Sequence, residues 1–125
     1  MKKVEKTNEK KKADRGVRVV NILGTDYTIE EKMRKEDAGL LDADGYCDSI
    51  FKKIVVLKDA DGEANDIAGL TEYKKRVLRH EAVHAALGES GINAAFLKET
   101  EELVVEWIAI QFPRLQKIFK ELGAL

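Results

Sequence analysis

The hydrophobic pattern of this chain changes period near Thr71, and that change restricts the fold more than any other feature. Before it lie short runs rich in β-branched residues: "VRVVNIL" (17–23), "YTIEEKM" (27–33) and "KKIVVLKD" (52–59), separated by turn-forming glycine and aspartate. After it, Tyr73, Val77, His80, His84 and Leu87 recur at three- and four-residue intervals, the spacing of one helix face. Strands followed by helices make an α+β fold, here with a small sheet of about three strands.

The finer expectations come from local chemistry. The first two runs, joined through Gly24, read as a hairpin. Residues 34–51 lack periodicity and read mostly as loop. Thr71 is the expected N-cap of the first helix, and Gly88 to Gly91 its end. A second helix should begin near Thr100 and be broken or kinked at Pro113, the sole proline. An amphipathic helix with Leu115, Ile118, Phe119 and Leu122 then closes the chain. Trp107 and Phe112 are expected in the core. Asp-Ala-Asp-Gly occurs at 42–45 and 59–62, but its glycine comes too early for a calcium loop, so both copies read as turns.

With 125 residues the chain is long enough for one modest core, assigned to residues 16–125. Residues 1–15 are lysine-rich and nearly devoid of apolar side chains, and are expected to form a disordered basic arm. A net charge of −1 argues against a field that would attract nucleic acid, leaving at most weak, salt-sensitive contact through the arm. A single cysteine, Cys47, rules out an internal disulfide and suits the cytoplasm; it is read as a buried thiol without a role. No apolar run is long enough for a membrane span.

Both histidines of the chain fall within five residues, in "HEAVH" (80–84). On a helix His80 and His84 share a face and can offer two imidazole nitrogens to one ion. Glu81, one step round, can reach a water beside that ion and take its proton. A third protein ligand is then required, and with no other histidine it should be a carboxylate. "ETEELVVEW" (99–107) offers four. Glu102 and Glu106 share a helix face, which suits Glu102 as the ligand and Glu106 as the partner of a ligating histidine's far nitrogen. Glu99 and Glu101 read instead as a solvated acidic first turn. The donor set suits zinc, and also manganese or iron. A donor for the developing oxyanion is needed as well. Tyr46 and Tyr73 are candidates for it.

The helix "RHEAVHAALGESG" followed by "EELVVEWIAIQFPRL" resembles small zincin-like metallopeptidases encoded by phages and prophages, distantly similar to the ImmA/IrrE peptidases. "VVNILGTDYTI" and "GYCDSIFKKIVV" resemble that family's strands, so the likeness spans residues 17–120. The resemblance implies a compact zincin core with His80, His84 and Glu102 as zinc ligands and Glu81 as general base. The Glu102/Glu106 pair also resembles the gluzincin arrangement, in which the later acidic residue is usually Asp. The implied activity is hydrolysis of a peptide bond in a protein substrate, such as a regulator of a phage or mobile element. The alternative is a non-catalytic, metal-stabilised zincin fold that binds a partner protein. Glu81 favours the enzyme, because a purely structural site has no use for a base.

Overall fold

A computed structural model describes residues 17–58 and 67–125. The expected basic arm and the second Asp-Ala-Asp-Gly turn lie outside them. The architecture is α+β, a mixed sheet with two long helices. The sheet has four strands, β1 (Val17–Ile22), β2 (Thr25–Lys32), β3 (Gly45–Asp48) and β4 (Lys53–Leu57), in the order β1-β2-β4-β3. β2 and β4 run parallel; the two outer pairings are antiparallel.

β1 and β2 form the expected hairpin, with Val20 opposite Tyr27 and Ile22 opposite Thr25. The connecting residues Leu23 and Gly24 have φ of 50° and 98°, the pairing of signs that a tight two-residue hairpin turn requires. Asn21 braces it by accepting from the Gly24 N–H at 3.0 Å and donating to Asp26 at 2.9 Å.

The fourth strand is the first correction. Residues 45–48 lie within the stretch expected as loop, yet they pair with β4, Cys47 opposite Ile54 and Gly45 opposite Val56. "GYCD" has no β-branched residue; its extended form comes from the neighbour it joins. Gly45 also allows a close approach, since a Cβ there would sit 2.8 Å from Val77 of the helix above.

Helix α1 (Ile67–Ser90) lies on the sheet, and α2 (Lys98–Glu121) packs against α1. The core between α1 and the sheet gathers Tyr27, Ile29, Ile54, Val56 and Ala85, with Val77, Leu78 and Ala82 beside them. This is one face of each strand, as two-residue alternation demands. Thr71 is not an N-cap, because α1 begins at Ile67 and runs through it. Gly91, with φ of 79°, ends the helix as expected.

Pro113 neither ends nor divides α2, which continues to Glu121. Proline lacks the N–H that would bond to the carbonyl of Ala109, four residues back. Ala109 is fully buried, so that oxygen needs another donor. Arg79 of α1 supplies it, its Nε donating to the Ala109 carbonyl at 2.7 Å. The expected break is thus repaired from the neighbouring helix, and the separate third helix merges into α2.

Trp107 and Phe112 are not core residues, being 54% and 48% exposed. The inward face of α2 is carried by Val105 and Ala109. Among the described residues, no helix is long and apolar enough to cross a membrane.

Candidate metal centre

The inward face of α1 reads Val77, Glu81 and Ala85, spaced by four, and Glu81 is the one buried charged residue among those described, at 7% exposure. The adjoining face, turned towards α2, carries His80 and His84. Their rings are 5.0 Å apart between centroids and inclined at 66°. His80, Glu81 and His84 each offer a ligand atom within 4.8 Å of the others.

The first turns of α2 bring three carboxylates to these rings. Glu102 faces both imidazoles at once, with Oε1 3.0 Å from His84 Nε2 and Oε2 3.4 Å from His80 Nε2. Behind the rings, Glu101 Oε2 lies 2.8 Å from His84 Nδ1. Glu106 Oε2 lies 3.6 Å from His80 Nδ1, and its other oxygen accepts from Arg76 Nε at 3.2 Å. Both Nε2 atoms therefore face one carboxylate, and each Nδ1 atom has a different carboxylate behind it.

Glu102 and Glu106 sit where their shared face puts them. Glu101 does not. Its place in the sequence suggests a solvated first turn, yet it is the closest partner of either ring and its side chain is only 22% exposed. Because the site lies against the first turns of α2, two adjacent positions can both reach α1, one in front of the rings and one behind. The helix periodicity alone does not reveal that, since it requires knowing how α2 is rotated against α1.

A carboxylate accepts hydrogen bonds, and His84 meets one at each ring nitrogen, Glu101 at Nδ1 and Glu102 at Nε2, so the nitrogen that donates depends on the tautomer. A proton on Nδ1, donated to Glu101, is the tautomer that would leave Nε2 for a ligand on the side of Glu102. Burial pushes the Glu81 carboxyl from its ordinary 4.5 up to about 7; His84 opposes the rise, and the Glu102 and Glu106 charges add to it.

A cleft of about 480 Å³ opens over this cluster, bordered by Tyr27, Cys47, Ser49 and Asn93 as well as the histidines and Glu102. A smaller cavity of about 210 Å³ shares Gly45, His80 and Glu81 with the cleft and is also lined by Asp44, Tyr73, Arg76 and Glu106. The two tyrosines that are candidate oxyanion donors have their hydroxyls engaged. Tyr46 donates to Asp37 at 2.8 Å and packs its ring on Gly39; Tyr73 donates to Asp44. Both phenols are pushed up to about 12, by burial first for Tyr46 and by the bond to Asp44 first for Tyr73. Cys47 faces the cleft from β3, and burial pushes its thiol up to about 11, away from the reactive thiolate.

Comparison with protein-family models, curated proteins and solved structures gives no match.

Proposed function

We propose that this chain is a zinc-dependent peptidase that hydrolyses a peptide bond in a protein substrate. The observation that supports it most is the common focus of His80 Nε2 and His84 Nε2 on the Glu102 carboxylate, with Glu101 and Glu106 behind the rings. Two imidazoles and one carboxylate are the donor set of many catalytic zinc sites. Manganese or iron would suit the same donors.

His80, His84 and Glu102 would hold the ion. Glu81 belongs to the same cluster, but it is Glu102 whose two oxygens face both Nε2 atoms, which leaves Glu81 available as a base. A divalent ion in this place supplies Lewis-acid polarisation of water and carbonyl. Glu81, at the cleft floor, takes the proton of the attacking water and passes it to the leaving amine. Glu101 and Glu106 keep the imidazoles in the required tautomer and orientation.

The cytoplasm, and a phage or mobile-element regulator as substrate, complete the proposal; they rest on the single cysteine and on the sequence resemblance. The test is Glu81→Gln assayed against an unstructured protein such as casein. The variant should retain metal and lose hydrolysis; hydrolysis at the wild-type rate would remove Glu81 from the mechanism.

A further inference from the structure

We infer that Arg76 is the group that receives the substrate's carbonyl oxygen as negative charge develops on it, an assignment that rests on the peptidase reading. Acyl transfer needs a donor or cation aimed at that oxygen. Tyr46 and Tyr73 already donate to Asp37 and Asp44. Among the described residues that line the two cavities around the histidines, Arg76 is the sole lysine or arginine.

Its placement fits the role. Arg76 stands four residues before His80, on the same face of α1, and lines the smaller cavity together with His80 and Glu81. Two contacts steer the guanidinium. Its Nε donates to Glu106 at 3.2 Å, and its centre lies 5.9 Å from the middle of the Tyr73 ring. Neither contact uses Nη1 or Nη2, and no described residue bonds to either atom. The planar fork is held at its root with its two terminal donors left for a ligand oxygen. The ion pair with Glu106 does not cancel this capacity, since both side chains are about 40% exposed and such pairs are weak.

The competing role is indirect: Arg76 could serve only to steady Glu106 behind His80. The two roles differ in what they do to the metal and to an anion beside it. The experiment uses the full chain loaded with cobalt, with inorganic phosphate as a tetrahedral oxyanion and the cobalt absorption bands as the readout. Wild type should bind phosphate. Arg76→Met should weaken that binding by about tenfold or more while cobalt content stays unchanged. Arg76→Lys should recover part of the loss, and the effect of Arg76→Met should persist in a Glu106→Gln background.

Unchanged phosphate affinity in Arg76→Met, or no phosphate response in the wild type, would overturn the assignment. Loss of cobalt with Arg76→Met, or disappearance of its effect in the Glu106→Gln background, would do the same by placing Arg76 behind Glu106 alone. A wild type that takes up neither cobalt nor zinc would instead defeat the metal reading itself, and this inference with it.

Discussion

Nδ1 of His84 lies 2.8 Å from Oε2 of Glu101, the closest contact that either histidine makes with a carboxylate. The contact holds the ring's rotation, and a metal bound at Nε2 would leave Nδ1 to donate to Glu101. Such partners typically change metal affinity by about 10- to 100-fold. Glu101→Ala should therefore lower zinc affinity by that order in a chelator competition. Glu99→Ala, in the same helical turn, should leave it unchanged. Equal affinities for wild type and Glu101→Ala would reduce the contact to an incidental one.

Glu81 ties the site to stability. Its carboxyl is raised from 4.5 to about 7 in the folded chain, so the folded state prefers it protonated. The stability this contributes is complete below pH 4.5 and is lost as pH rises through 7. Metal-free Glu81→Gln should therefore be more stable than metal-free wild type above pH 7, by on the order of 3 kcal/mol at most. The gap should close towards pH 4.5. Urea denaturation of both proteins in chelator across that range checks this, and a gap independent of pH would contradict the burial of a charge.

Glu89 acts in the opposite direction. It sits in the last turn of α1, where the helix dipole disfavours an anion. Three donors offset this: Lys52 Nζ at 2.7 Å, Tyr27 Oη at 2.6 Å and Thr25 Oγ1 at 2.7 Å. Led by Lys52, they hold its carboxyl down at about 2. Its contribution is present above pH 4.5 and is lost as pH falls towards 2. Glu89→Gln should be less stable than wild type at neutral pH, with the difference shrinking in that acid window. A difference that stays constant through acid would show that shape, and not charge, joins α1 to the hairpin.

The bond from Arg79 to Ala109 predicts a separate effect. Arg79→Met should leave a buried carbonyl without a donor and destabilise the fold by about 1–3 kcal/mol. In the Pro113→Ala background, where an N–H returns to that carbonyl, the same substitution should cost less. A double-mutant cycle in urea measures the coupling, and strict additivity would contradict it.

These residues also mark what the sequence could convey. The hairpin is legible because Gly24 and the β-branched runs specify it within a few residues. The HExxH helix is legible because i,i+4 spacing is a local property. β3 is not, since "GYCD" is extended only because β4 is beside it. Continuity of α2 through Pro113 depends on Arg79, thirty residues away from Ala109 in the chain. Glu101 and Arg76 likewise take their positions from the rotation of α2 against α1. Local patterns specify the hairpin, the HExxH helix and one half of the site; β3, the continuity of α2 and the contacts between α1 and α2 depend on partners distant in the chain.

Metal content is the most direct test of the central claim. Full-length protein supplied with zinc and then freed of unbound metal should retain about one equivalent, and His84→Ala should retain none. Glu81→Gln should retain the same equivalent as wild type. Wild type without bound zinc, or His84→Ala with a full equivalent, would contradict a metal centre built on His80, His84 and Glu102.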